Sequence, residues 1–184
     1  NLKYYKLLSL KWPTKRDVIS EIINLEAIVS LPKGTEHFIS DIHGEAEHFL
    51  HIIRTASGVI KAKIDDVFKD TLSSKDKVKL ANLIYYPEEM LKNSPKTKSW
   101  YKSTLLKLIN VCNIACGKYT RSKVRKALPE KYAYIIDELL NCDRENINKE
   151  YYYDKIIDTI IVLGCADDFI IEIGNDGRVN VKEN

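Results

Sequence analysis

The chain has 184 residues, long enough for a domain with a sizeable core. With 45% hydrophobic and 30% charged residues it has the balance of a globular protein and not of a disordered one. A formal net charge of +3 is too small to bind nucleic acid without a local patch, and no apolar run approaches the length of a membrane span.

Gly and Pro are scarce, at 7 and 5, which favours helices over a many-turned β fold. The first residues, NLKYYKLLSLKWPTK, lack the apolar run and small-residue cleavage site of a secretory signal and are not expected to be one. Cys112, Cys116, Cys142 and Cys165 form no CxxC and have no neighbouring His. They read as reduced structural thiols rather than as a zinc or redox site, a usage that suits the expected cytoplasmic setting.

In chain order, Pro13-Thr14 followed by Asp17 predicts a helix start with Thr14 as cap. Val18, Ile19, Ile22, Ile23, Leu25, Ile28 and Val29 give that helix a wide apolar face, and Leu31-Pro32-Lys33-Gly34 ends it. A short strand is expected over 36–41, then a turn at Gly44 and a helix from Glu45 to Thr55. Ser57-Gly58 is a break. Helical stripes follow at Ile60 to Phe68, Leu80 to Ile84, Leu105 to Cys116, Tyr132 to Leu140 and Ile156 to Ile161. Polar connectors separate them at 92–99 and 141–149. The tail, DFIIEIGNDGRVNVKEN, places β-branched residues on both sides of Gly174-Asn175-Asp176-Gly177 and predicts a hairpin over 168–182. The expected class is mostly α with a small β component (α+β), in one region spanning 1–184.

The stretch EHFISDIHG concentrates chemistry. Side chains two apart on a strand share a face, so Asp41 and His43 can converge where strand meets loop. Gly44 lets backbone or ligand approach closely. A carboxylate with an imidazole suits manganese, iron or zinc better than calcium. Spacing alone leaves a blander reading open, an acid at a strand end beside a surface histidine.

FISDIHG resembles the first motif of the calcineurin-like metallophosphoesterases: aspartate, any residue, histidine and glycine after a strand. The likeness runs on through EIINLEAIVSLPKGTEHFISDIHGEAEHFLHIIRTASGVIKAKIDDVF, LIYYPEEML, VCNIACGKYTRSKVRKALPEKYAYIIDELL and YYYDKIIDTIIVLGCADDFI. Over about residues 2–170 the chain resembles the N-terminal part of the class III fructose-1,6-bisphosphatases. The resemblance implies a manganese-dependent phosphatase of gluconeogenesis, which hydrolyses fructose 1,6-bisphosphate to fructose 6-phosphate and phosphate. It implies the N-terminal portion of an α/β metallophosphatase domain with a helical insertion at about 57–165. It also implies Asp41 and His43 as ligands of one Mn²⁺ of a two-metal site.

The family's later motifs are not found here. One is glycine-aspartate, two residues, aspartate-arginine-glycine; the other is glycine-asparagine-histidine and an acid. The four histidines are His37, His43, His48 and His51, and residues 52–184 contain none. This chain is therefore expected to lack a competent two-metal centre and to be inactive alone. From about Ile171 the sequence is expected to leave the family pattern. The alternative reading is a non-catalytic helical assembly or effector-binding module. A lone strand is expected to leave an apolar patch around Phe38, Ile39 and Ile42, or to drive self-association into a homo-oligomer.

KYTRSKVRK is the most basic stretch. Arg121 and Arg125 lie one turn apart, and with Lys118 they suggest an anion site for a sugar bisphosphate substrate or a phosphorylated effector. A solvated helix face and pairing of the arginines with Asp137 or Glu138 stay open. His48 and His51, three apart, can share a helix face, but solvated or capping roles fit them better. His37 reads as a packed or edge residue. Asp65-Asp66, Glu88-Glu89 and Asp167-Asp168 read as caps or surface pairs. Tyr151-Tyr152-Tyr153 read as packing beneath the last helix, or as an interface.

Overall fold

The computed structural model describes residues 2–31, 38, 41, 43–141 and 147–176, without the side chains of 147–149 and 175–176. The chain forms two compact units, Asn1–Gly34 and Thr35–Asn184. Every regular element among the described residues is helical.

The first unit holds α1 (Leu2–Lys11) and α2 (Lys15–Val29). The start of α2 is the expected one. Thr14 Oγ1 accepts from the Asp17 amide at 3.2 Å, and the Asp17 carboxylate accepts from the Thr14 amide at 3.1 Å. This reciprocal capping box satisfies two backbone donors that the first turn leaves without helical partners. Neither helix buries a residue.

The second unit begins with α3 (Ala46–Thr55), a 3₁₀ turn at Ala56–Gly58, α4 (Val59–Phe68) and α5 (Ser74–Tyr85). It continues with α6 (Pro87–Lys92), α7 (Lys98–Cys116), α8 (Arg121–Ala127), α9 (Ala133–Asn141), α10 (Ile147–Val162) and α11 (Ala166–Asp176). Ser73, Thr97 and Thr120 cap α5, α7 and α8 by accepting from the amides of Asp76, Trp100 and Lys123. Pro87 opens α6, where its fixed φ and missing N–H cost nothing.

Helix α7 is the axis of this unit and packs against α4, α9, α10 and α11. Its Leu105, Leu108 and Ile109 are at most 1% exposed. Ile64, Ile136, Ile157, Phe169 and Ile170 close around them. Each such side chain contributes about 1.5–3 kcal/mol through removal from water. Tyr153 is buried under this core while Tyr151 is exposed, so packing explains one residue of the tyrosine run.

The expected hairpin over 168–182 is corrected for its described part: residues through Asp176 are helical. Ala166, Phe169, Ile170 and Ile173 are buried at helical spacing, and Asp167 and Asp168 lie in the first turn, where the helix dipole favours acids. Gly174, read as a turn residue, is a contact residue instead. A Cβ there would lie 3.2 Å from the Ile84 carbonyl oxygen and 3.3 Å from Pro87 Cγ. Residues 177–182 lie outside the described residues, as does most of the expected strand at 36–41. Phe38 and Asp41, the described members of that stretch, carry no strand assignment, so no β component is seen among the described residues. Phe38 is 93% exposed; Ile39 and Ile42, the other members of the expected apolar patch, lie outside the described residues.

Candidate metal centre

Asp41 and His43 lie just ahead of α3. His43 has φ +47° and Gly44 φ +75°, so the backbone turns through two left-handed residues before the helix begins. Histidine enters that region at a steric cost, glycine freely. The turn is held by the Asp41 carboxylate, which accepts from the His43 amide at 3.3 Å. It folds the imidazole back onto the acid: His43 Nε2 lies 3.1 Å from Asp41 Oδ2. Both side chains are open to solvent, at 80% and 65% exposure.

This donor set fits a metal. Two ligands each about 2.1 Å from one ion, in adjacent coordination positions, stand about 3 Å apart. The observed separation of 3.1 Å, here a direct and exposed ion-pair contact, is compatible with that spacing. A carboxylate and an imidazole together suit manganese, iron or zinc. Among the described residues no group of three or more His, Cys, Asp or Glu could complete the shell.

The other histidines have separate partners. His48 Nδ1 is 3.2 Å from Glu45 Oε2, at the start of α3. His51 Nδ1 is 2.6 Å from the Tyr86 hydroxyl, and the two rings stack with centroids 6.1 Å apart and planes 13° from parallel. His37 lies outside the described residues.

The basic stretch has an internal counter-ion. Arg121 Nη2 donates to Asp137 Oδ2 at 2.7 Å, and its Nε reaches both oxygens at 3.2 and 3.3 Å. Arg125 Nε stands 3.7 Å from the same carboxylate. Asn141 Nδ2 donates to it at 3.1 Å. The Asp137 side chain is only 5% exposed, so the arginines screen an acid that α9 carries into the core edge. The hydrogen bond to Asp137, then its charge, holds the Arg121 guanidinium above its ordinary pKa. Lys118 Nζ lies 5.0 Å from the Tyr119 ring, with Lys123 Nζ at 4.8 Å. Of the two partners the sequence left open for the arginines, an anion or a protein acid, this geometry supplies the acid.

A second network joins α7 to α11. Tyr101 donates to Asp167 Oδ1 at 2.8 Å, and Lys96 Nζ sits 2.6 Å from Asp167 Oδ2. Lys131 pairs with Asp168 at 3.4 Å. These contacts link residues more than sixty positions apart in the first case, so periodicity carried no sign of them. The acid pair, read as caps or a surface pair, stands in the first turn of α11, and its two members face different cations.

A family profile described as Firmicute fructose-1,6-bisphosphatase matches residues 3–179. The chain belongs to that family. Among curated relatives, the class 3 fructose-1,6-bisphosphatase of Clostridium tetani (strain Massachusetts / E88) is 56% identical over 177 residues, covering 94% of this chain and 27% of the relative. That of Clostridium botulinum (strain Loch Maree / Type A3) is 56% identical over 179 residues, covering 95% of this chain and again 27% of the relative. This chain thus spans about a quarter of the length of those proteins. The match continues to residue 179, past the point near Ile171 where the sequence was expected to leave the family; the helical α11 lies inside it. No solved structure matches. Among the described residues no helix is long and apolar enough to cross a membrane.

Proposed function

We propose that this chain supplies the front of a metallophosphatase domain, with a helical insertion at about 57–165. In the complete protein that domain would hydrolyse fructose 1,6-bisphosphate to fructose 6-phosphate and phosphate, a step of gluconeogenesis. The observation that carries the reading is the family match over residues 3–179 together with the ligand-like spacing of Asp41 and His43. Asp41 and His43 would hold one Mn²⁺ of a pair. Such a pair supplies an activated water and a clamp on the phosphoryl oxygens. The chain's own part is to present one carboxylate oxygen and one imidazole nitrogen at a fixed separation, in a setting open to a charged sugar bisphosphate. A cytoplasmic setting and assembly into a homo-oligomer go with this reading.

The test is phosphate release from fructose 1,6-bisphosphate with Mn²⁺, on this chain and on a chain of the relatives' full length. The expected result is activity in the long chain and none in the short one. Robust Mn²⁺-dependent turnover by the pure 184-residue chain would overturn the view that its ligand set is partial.

One observation favours the second reading, a non-catalytic assembly or effector-binding module: the helices from α4 to α11 have a buried core of their own. Under it Lys118, Arg121 and Arg125 would meet a phosphorylated effector. That effector would have to compete with Asp137 for both guanidinium groups.

A further inference from the structure

The loop that bears Asp41 and His43 continues directly into α3, so the direction of α3 decides where those two side chains stand. Yet α3 is lightly held. Thr55, its last residue, is its only buried one. Behind Thr55 the chain passes through three consecutive left-handed residues, Ala56 (φ +48°), Ser57 (φ +51°) and Gly58 (φ +84°), before α4 begins. Two of these have a side chain, and each costs of order 1 kcal/mol in that region. The joint is therefore strained, and something else must hold the helix in its pose.

Among the described residues, a polar contact from the flank of α3 to the helical layer runs through Tyr86, at the junction of α5 and α6. Its hydroxyl is 2.6 Å from His51 Nδ1. Its ring stacks on the His51 ring, and the Arg54 guanidinium lies over it at 5.1 Å from the centroid. Tyr86 itself is half-buried against the main core, so it is an anchored post and not a swinging side chain. His51 and Arg54 lie three apart on one face of α3, as a helix requires if a single ring is to engage both.

We propose that Tyr86 is a positioning residue for the Asp41–His43 loop: it fixes the flank of α3 through His51 and Arg54, and α3 carries the loop. The inference rests on the reading of Asp41 and His43 as metal ligands only for its effect on metal binding. Its effect on the pose of the loop does not depend on that reading.

The experiment uses the 184-residue chain with Tyr86→Phe, which removes the hydroxyl and keeps the ring. Amide hydrogen exchange is read over 43–51 and over α7, and Mn²⁺ affinity is measured with the metal alone. Exchange over 43–51 should rise about tenfold while α7 is unchanged, because opening becomes local. Mn²⁺ binding should weaken about tenfold, the size of effect expected of a residue that orients a ligand without touching the metal. His51→Ala should reproduce both effects, and the double variant should add nothing to either, since the two groups form one bond. Ala56→Gly, which relieves the joint and leaves the bond, should keep wild-type Mn²⁺ affinity. Unchanged exchange over 43–51 in Tyr86→Phe overturns the proposal. So does faster exchange with unchanged Mn²⁺ affinity, provided that Asp41→Asn abolishes binding. If Asp41→Asn leaves Mn²⁺ binding intact, the ligand reading fails and the exchange data alone decide the latch.

Discussion

Helix α2 carries Val18, Ile19, Ile22, Ile23, Leu25, Ile28 and Val29, all more than 40% exposed, while α7 keeps Leu105, Leu108 and Ile109 at 1% or less. Both helices start at a threonine cap, and both show apolar residues at helical spacing. The difference lies in partners. Four other helices surround α7; within its own unit α2 buries nothing. Local sequence thus decides that a helix forms, and neighbours decide how much it contributes to stability.

The largest effect should come from the buried side of that comparison. Phe169 is fully buried and meets Tyr132 edge-on, with ring centroids 5.1 Å apart. Phe169→Ala should cost about 3–5 kcal/mol of unfolding free energy in denaturant titrations, by lost transfer energy and the cavity left behind. A loss below about 1 kcal/mol would mean that α11 is not part of the cooperative core, and would reopen the hairpin reading of its sequence.

Next in size should be the buried acid at the edge of the core. Asp137→Ala leaves Arg121 and Arg125 facing each other without their shared counter-ion. It should lower the unfolding midpoint clearly, though less than Phe169→Ala, because both arginines reach solvent. Arg121→Gln with Arg125→Gln should also lower the midpoint, since Asp137 then keeps only Asn141. If that double variant melts like wild type but loses affinity for inorganic phosphate, the anion reading of the basic stretch replaces the structural one.

These cases show what was legible. The helices with continuous apolar stripes, α2, α4, α5, α7, α9 and α10, could be read because apolar residues recur every three to four positions, whether or not a neighbour buries them. The cap at Thr14 could be read because its acid partner sits three residues on. That Asp41 and His43 meet could be read from their spacing of two; that they hold a metal is a proposal. Helix α11 could not, because Gly174 and Asn175 imitate a turn signal and the reason for the glycine lies about ninety residues upstream, at Ile84 and Pro87. Tyr86 on His51 and Tyr101 on Asp167 were equally hidden, since each joins segments far apart in sequence. For the arginines the basic spacing was visible, but the depth of Asp137 was not.

Alkaline titration offers a smaller, cleaner test of how tightly α7 holds α11. Burial, then the hydrogen bond to Asp167 and its negative charge, pushes the Tyr101 hydroxyl up to about 12. An unfolded tyrosine titrates near 10. The folded state therefore keeps its proton where the unfolded state has lost it. The contribution from Tyr101 is fully present below pH 10 and is lost as pH rises toward about 12. Tyr101→Phe should flatten that part of the stability profile, and the variant should lack one late-titrating tyrosine that the phenolate absorbance of the wild type shows. An unchanged profile would mean that the Tyr101–Asp167 bond opens in solution.

The smallest effect should come from α2, and there a near-zero result is informative. Ile22 is 58% exposed. Serine in its place removes an apolar side chain that is already largely in water and lowers helix propensity only slightly. Ile22→Ser should therefore change the unfolding free energy of the 184-residue chain by no more than about 0.5 kcal/mol, the range of ordinary surface substitutions. The same change made in a chain of the relatives' full length is the sharper measurement. If added segments cover the α2 face, the loss there should rise into the range of about 1–3 kcal/mol that accompanies burying a polar group without partners. A large loss already in the short chain would show that Ile22 is covered in solution, and the contrast between α2 and α7 would no longer hold.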